Sequence, residues 1–398
     1  MADNKDKKIL NVPALRFPEF SGEWNTSSIE EQFELYSGNT PSRMDKKQFD
    51  GTVNWITSGE LKEHYIADTK EKISDEAVKS NNLKLLPVGT FVIAIYGLEA
   101  DGVRGTCSIT ASESTISQAC MAFISKKDIA NEFLYAWYKK HGNVIGIRYA
   151  QGTKQQNLSY DIIEKFNISY PCIEEQKKLI RFISLIDERI ATQNKIIEKL
   201  ETLIKGIVEL AFSHAATSNT LGCYITQISQ RNKTGKDLPV LSVSNKHGFV
   251  EQSEQFEDRI IASDDTSNYK IVDINDFAYN PARINVGSIA RLKDKECGIV
   301  SPMYICFRTS KDILPEYLEL FFKTVTFSFE VGKRLEGSVR LCLSYESLCE
   351  IVIPIISIRE QQSLVKMVTT FHSKLDVEKG FLSSYQSQKQ CLLSQMFI

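Results

Sequence analysis

The stretch GTKQQNLSYDIIEKFNISYP, residues 152–171, has a second version at residues 337–356, GSVRLCLSYESLCEIVIPII. Gly152 falls on Gly337, and Leu158-Ser159-Tyr160 falls on Leu343-Ser344-Tyr345, an offset of 185 residues. The offset runs on without a gap, placing Glu175-Gln176 on Glu360-Gln361, Leu179 on Leu364 and Phe212 on Phe397. A period of about 20–50 residues would indicate a solenoid, whereas one this long indicates a duplicated domain. Upstream, DIANEFLYAWYKKHG (128–142) parallels DILPEYLELFFKTVT (312–326), each opening on Asp at a helix N-cap position with aromatics at helical spacing. Before these, the β-like run TISQACMAFIS pairs with GIVSPMYICFR, and LPVGTFVIAIYG pairs with VDINDFAYNPAR. Similarity then fades: residues about 25–85 and 217–270 share little beyond strand-like alternation.

The regions that follow the repeated turn read as long helices with a coiled-coil seam. In the first, Ile183, Ile190, Ile197, Ile204 and Ala211 fall at heptad position a, and Leu179, Ile186, Leu200 and Ile207 at d, with Gln193 the polar exception. In the second, Val368, Leu375 and Leu382 fall at a, and Leu364, Phe371, Tyr385 and Leu392 at d, interrupted by Glu378 and Lys389. The second is more polar and carries Gly380. A long helix with an apolar seam needs a partner, and the nearest is the other copy. Two similar halves related by a twofold axis place these helices antiparallel. The fold class expected is therefore α+β: two α/β domains alternating with two long helices that pair as an antiparallel coiled coil, in a pseudo-twofold internal repeat. The expected divisions are an arm at 1–12, a domain at 13–170, helix at 171–216, a second domain at 217–355 and helix at 356–398.

Composition excludes more than it assigns. A chain of 398 residues with 42% hydrophobic residues has enough material for more than one core. No apolar run approaches the ~20 residues that cross a bilayer, and MADNKDKKIL lacks the long apolar stretch of a signal peptide. The nine cysteines are scattered without a CxxC pair, which reads as reduced thiols in a cytoplasm. There is no phosphate-binding GxxxxGK[ST], no GxG turn, no HExxH and no GxSxG elbow. NPAR at 280–283 resembles the Asn-Pro-Pro-aromatic loop of amino-methyltransferases, but Arg283 stands where an aromatic would stack on a flipped base. The reading is binding without catalysis.

Net charge is −2, yet charge is locally uneven. KKHGNVIGIRYAQGTK (139–154) has four cations and no acid. Lys139, Lys140 and Lys154 there, Lys46, Lys47 and Lys233 in the divergent loops, and Arg334 and Arg340 in the second copy are candidate phosphate contacts. The loops 37–61 and 229–252 are rich in donors. Arg43, Arg231, Asn232 and, in the NPAR turn, Arg283 are candidate base readers, because arginine forks onto guanine and asparagine onto adenine.

VPALRFPEFSGEW at the start, SGNTPSR with WITSGEL, YNPARINVGSIA, and the two LSY…EQ turns together resemble the specificity (S) subunit of Type I restriction–modification systems. The resemblance covers the chain from Val12 to Ile398. It implies two target-recognition domains, each reading one half of a split DNA sequence, spaced by helices that dock two methyltransferase (M) subunits, with motor-nuclease (R) subunits joining. It implies double-stranded DNA as ligand, no membrane and no cofactor in this chain, with S-adenosylmethionine, ATP and Mg in partner subunits. The alternatives are a non-catalytic scaffold whose domains bind protein, and the specificity subunit of a related two-component restriction–modification system.

Overall fold

The computed structural model describes residues 10–100, 102–213, 217–233, 235, 237–245, 247–251, 266–337 and 340–398. Two compact units partition the chain: residues 1–193 with 381–398, and residues 194–380. Each unit thus holds one α/β head, the beginning of the long helix that follows it, and the far end of the other long helix.

Among its described residues the first head contains ten strands: β1 (Asn25–Ser28), β2 (Phe33–Ser37), β3 (Val53–Ile56), β4 (Tyr65–Ile66), β5 (Lys72–Ile73), β6 (Phe91–Ala94), β7 (Cys107–Thr110), β8 (Ser114–Ile116), β9 (Cys120–Ser125) and β10 (Asn167–Tyr170). They form sheets ordered β2-β9-β6-β7-β4 and β5-β3-β8, with β1 pairing β10. The second head contains β11 (Thr217–Thr220), β12 (Ile225–Ile228), β13 (Val240–Ser244), β14 (Gly248–Glu251), β15 (Lys270–Asp273), β16 (Phe277–Tyr279), β17 (Ile289–Arg291), β18 (Cys297–Val300), β19 (Ile305–Thr309) and β20 (Val352–Ile355). Its sheets run β12-β19-β16-β17 and β14-β13-β18-β15, with β11 pairing β20. The two heads share the orders β2-β9-β6-β7 with β12-β19-β16-β17 and β5-β3-β8 with β14-β13-β18, including a parallel pair in each, β3 with β8 and β13 with β18, while β4 extends the first head's larger sheet and β15 the second head's smaller one. The central strand β6 is buried at all four positions and β16 at all three, so these short apolar runs are core strands covered on both faces. The aromatic helix Asn131–Tyr149 lays Phe133, Leu134, Trp137 and Tyr138 into the first core, and the helix Pro315–Phe321 does the same with Tyr317, Leu318 and Phe321.

The long helices run Ile173–Ser213 and Ile358–Met396, the second passing through Gly380 without a break. Residues 214–216, placed at the end of the first helix by its sequence, lie outside the described residues. The helices pair antiparallel. In the first unit Lys389 Nζ donates to Asp187 Oδ1 at 2.5 Å and Arg189 lies 4.8 Å from the Tyr385 ring. In the second unit Lys379 pairs with Glu201 at 2.8 Å. The seam positions Leu179, Ile183, Ile197, Ile204, Leu364, Val368 and Leu375 are buried, and Ile186, Ile190, Leu200 and Phe371 are half-buried. The polar interruptions are answered locally: Lys389 by Asp187, and the buried Glu378 by Lys374 one turn earlier.

The repeated Glu-Gln pair has a physical reason. Gln176 is fully buried; its Oε1 accepts from Ala130 N (3.0 Å), and its Nε2 donates to Asp128 O (2.8 Å) and Pro171 O (3.0 Å). Gln361, equally buried, accepts from Leu314 N (2.9 Å) and donates to Ile356 O (2.9 Å). In both units one amide ties the start of the long helix to the loop before the buried helix, satisfying backbone groups that no secondary structure reaches. Gln176→Leu keeps the volume and strands an N–H and two carbonyls. An unmet buried group costs roughly 1–3 kcal/mol, so a loss of about 3 kcal/mol is expected in urea denaturation of the full chain. A loss under about 1 kcal/mol would show that the clamp is dispensable.

Residues 1–9 of the arm expected at 1–12 lie outside the described residues, and its last three residues lead into an anchored segment. Asn11 donates to Trp24 O (2.7 Å) and Thr26 Oγ1 (3.0 Å). Arg16 grips Glu175 through Nε (2.8 Å) and an Nη (2.7 Å), and Phe17 meets Phe182 edge-on. Glu175, the partner of Gln176 in the repeat, therefore holds the chain's opening segment on the first long helix. None of the described helices is long and apolar enough to cross a membrane.

Candidate nucleic-acid interface

The segment that begins the repeat builds the same small loop in both heads. Gln151 and Asn157 exchange backbone hydrogen bonds at 2.8 and 2.9 Å, and Glu336 and Cys342 do so at 3.0 and 2.8 Å. Gly152 (φ +112°) and Gly337 (φ +128°) start the two loops in a conformation L side chains avoid, and a Cβ would overlap the carbonyl oxygens of Gln155 and Arg340. The buried Leu158 donates its N–H to Ile95 O (2.8 Å) and the buried Leu343 to Pro281 O (3.1 Å), seating each loop on the end of a central strand. Ser344 then caps the next turn, its Oγ accepting from Ser347 N at 3.0 Å. In the first head the loop is braced further, by Arg104 donating to Gln156 Oε1 (2.7 Å) and Gln156 N donating to Glu99 Oε2 (2.7 Å).

Lys154 and Arg340 sit on these two loops, exposed, with no carboxylate partner among the described residues. Lys46 and Lys47 are exposed on the turn Lys46–Phe49, where Asp45 Oδ1 caps the backbone of Lys47 (3.2 Å) and leaves both ammonium groups to solvent. Lys139 is exposed, 5.4 Å from the Tyr135 ring centre. Lys233 is exposed. Arg283 is exposed on the turn between β16 and β17, whose backbone is pinned by Arg283 N to Asn280 O (3.0 Å) and Ala282 N to Asn280 Oδ1 (3.1 Å).

Other sequence candidates are engaged elsewhere. Lys140 is corrected: its Nζ donates to Phe397 O (2.6 Å) and Ser394 O (3.1 Å), closing carbonyls at the end of the second long helix. Burial lowers its pKa. Asn232 is corrected as an exposed reader: it is fully buried, with its backbone N–H on Tyr269 O (2.9 Å). Arg334 is corrected as a free cation, since Glu330, one turn before it, takes the guanidinium and Glu350 lies 3.9 Å away. Arg43 forks onto Glu71, Nη2 to Oε2 at 2.8 Å, and its guanidinium carbon lies 4.6 Å from the Phe49 ring and 5.4 Å from Trp55. Glu71 raises the Arg43 pKa through these hydrogen bonds. Arg231 donates to Asn268 Oδ1 at 2.8 Å. One residue absent from the sequence candidates, Asn245, lines a small concavity together with Arg283, Val286 and Ser288 of the β16–β17 turn. No spacing in the sequence announces that juxtaposition.

Each head presents a cation, Lys154 or Arg340, beside the same backbone bridge, with no carboxylate partner among the described residues. Residues 21–202 match the family model described as Type I restriction modification DNA specificity domain. Among curated relatives, the chain is 28% identical over 185 residues to the Type I restriction enzyme MjaIX specificity subunit of Methanocaldococcus jannaschii, covering 45% of this chain and 42% of that one. It is 27% identical over 213 residues to the EcoR124I/EcoR124II specificity subunit of Escherichia coli, covering 52% and 48%. The matches thus span just under half the length of these relatives. Among solved structures, the Type I restriction–modification S subunit from M. genitalium superposes with a TM-score of 0.56 at 18% identity, over 97% of this chain and 99% of that one. The HsdS subunit from Thermoanaerobacter tengcongensis gives 0.50 at 15%, over 94% and 96%. The whole-chain likeness establishes the fold: two α/β heads alternating with paired helices.

Proposed function

We propose that this chain is the sequence-specific DNA-binding subunit of a Type I restriction–modification complex, each head reading one part of a two-part target. The observation that carries the reading is the duplication itself. One strand order and one β-bridged, cation-bearing loop occur twice, while the loops around them differ between the copies. Two different readers on one frame suit two different half-sites. Lys46, Lys47, Lys139, Lys154, Lys233 and Arg340 supply phosphate contacts in this reading. Arg43 and Arg231 act as base readers only by exchanging Glu71 and Asn268 for a base. The paired helices set the spacing and dock two methyltransferase subunits, and motor-nuclease subunits complete the complex. This chain performs no catalysis; S-adenosylmethionine, ATP and Mg belong to the partners.

Two measurements test this. Co-expression with its methyltransferase subunit, followed by single-molecule mapping of methylated bases, should return a target of two short blocks separated by a fixed gap. A single contiguous block would overturn the two-reader reading. Lys154→Ala should weaken binding of specific and random duplex alike and reduce the log–log salt slope by about one unit. Salt-insensitive binding, or no duplex binding by the assembled complex, would favour a protein-binding scaffold.

A further inference from the structure

Two concave surfaces of the second head differ in their electrostatics. The larger, about 700 Å³, lies beside β14 and β17 with Phe249, Phe277 and Phe322 in its lining. Its cations are already neutralised: Arg291 by Glu316 (2.7 Å) and Glu319 (3.1 Å), Lys293 by Glu319 (2.5 Å), and Lys295 by Glu251 (2.5 Å). A phosphate or base entering there would have to displace carboxylates. The smaller, about 70 Å³, is lined by Val243, Ser244, Asn245, Arg283, Val286 and Ser288. Among the described residues, none of its lining carries a carboxylate.

The smaller concavity is pre-shaped by backbone. Gly287 turns at φ +87°, and a Cβ placed on it would lie 3.7 Å from that of Asn245. Ser288 Oγ donates to Val243 O at 3.2 Å, tying the β16–β17 turn to the end of β13. The Asn280 bonds hold the other end of the turn. Asn245 and Arg283 are both exposed on its rim, and among the described residues no hydrogen bond or ion pair involves either side chain. Its volume is about that of two waters, so it takes the edge of a base and not a whole one. Arg340 stands free on the neighbouring loop, which Leu343 N seats on Pro281 O at 3.1 Å. The corresponding turn of the first head, between β6 and β7, reads IYGLEADGVRGT, and its arginine, Arg104, is engaged by Gln156 Oε1 at 2.7 Å. The frame is shared and the rim chemistry is not.

Resting on the reading above, we propose that Asn245 and Arg283 are the specificity-determining pair of the second head, meeting base edges of duplex DNA in its major groove, with Arg340 on an adjacent phosphate. Arginine pairs bidentately with guanine O6 and N7, and asparagine with adenine N6 and N7. The pair therefore favours purines on one strand of a single half-site.

The test is selection from a library of fully random duplexes by the full-length chain in its assembled complex, for wild type, Asn245→Ala, Arg283→Ala and Arg283→Lys. Both positions are exposed, and unchanged melting checks that each variant is folded. Wild type should enrich a two-part motif. Each alanine variant should keep one part intact and lose between about fivefold and a hundredfold of base preference at adjacent positions of the other. Arg283→Lys should lose more selectivity than affinity for random duplex, because an ammonium keeps the charge without the fork. Variants that enrich the wild-type motif unchanged, or an Arg283→Lys that selects like wild type, would overturn the assignment while leaving the DNA reading in place. A wild-type complex that enriches no motif would overturn the DNA reading, and the assignment with it.

Discussion

Ile197→Asp should abolish the paired-helix structure and, with it, soluble assembly of the full chain. Ile197 is 9% exposed on the first long helix. Truncating a buried isoleucine costs about 2–5 kcal/mol, and a carboxylate left buried without a partner adds to that. A domain of ordinary stability holds only about 5–15 kcal/mol, so the sum removes much of the margin. Ile190→Asp should be milder, because Ile190 is half-buried and its charge can reach water. Thr202→Asp, exposed on the same helix, is the control and should melt within a few degrees of wild type. Circular dichroism melting orders the three. Wild-type melting of Ile197→Asp would show that burial in the seam does not hold the helices together.

The helices were legible because a heptad seam constrains every third or fourth residue over the whole length, and few other structures need that spacing. The heads were legible only in part. Residues about 25–85 and 217–270 look unrelated, yet β2-β9-β6-β7 and β12-β19-β16-β17 share one order, as do β5-β3-β8 and β14-β13-β18. A strand position asks for an apolar side chain of about the right size on the buried face, and many sequences meet that. Topology therefore outlasts identity.

What could not be read was the pairing of charges. A sequence shows Lys140 in a basic run; it does not show that carbonyls 254 and 257 residues away lie within reach of its ammonium. Nor does it show Glu71 waiting for Arg43, 28 residues on. Free and spent cations have the same letter. Only Gly152 and Gly337 announced the loop that matters, because a positive φ leaves a mark on residue choice and an ion pair does not.

Phe397→Ala should loosen the first head although the residue lies at the far end of the chain from it. Phe397 is 2% exposed with its ring 5.2 Å from Phe133 on the helix Asn131–Tyr149. Its repeat equivalent, Phe212, is 6% exposed, 4.7 Å from Tyr317 and 5.4 Å from Phe321. The contacts correspond, since Phe133 and Tyr317 occupy matching places in the two copies of the buried helix. Each long helix thus ends by inserting an aromatic into the head it did not start from. Removing a buried phenylalanine costs about 3–5 kcal/mol, and the loss should be local to one unit. Hydrogen exchange of the full chain should show lost protection in residues 131–149 for Phe397→Ala and in residues 315–334 for Phe212→Ala. Phe397→Ala also disturbs the carbonyls that Lys140 closes, so its effect should be the larger of the two. Phe397→Leu, which keeps most of the apolar contact, should recover more than half of the loss. If both alanine variants deprotect both heads equally, the ends of the helices act through the chain as a whole and not through these two insertions.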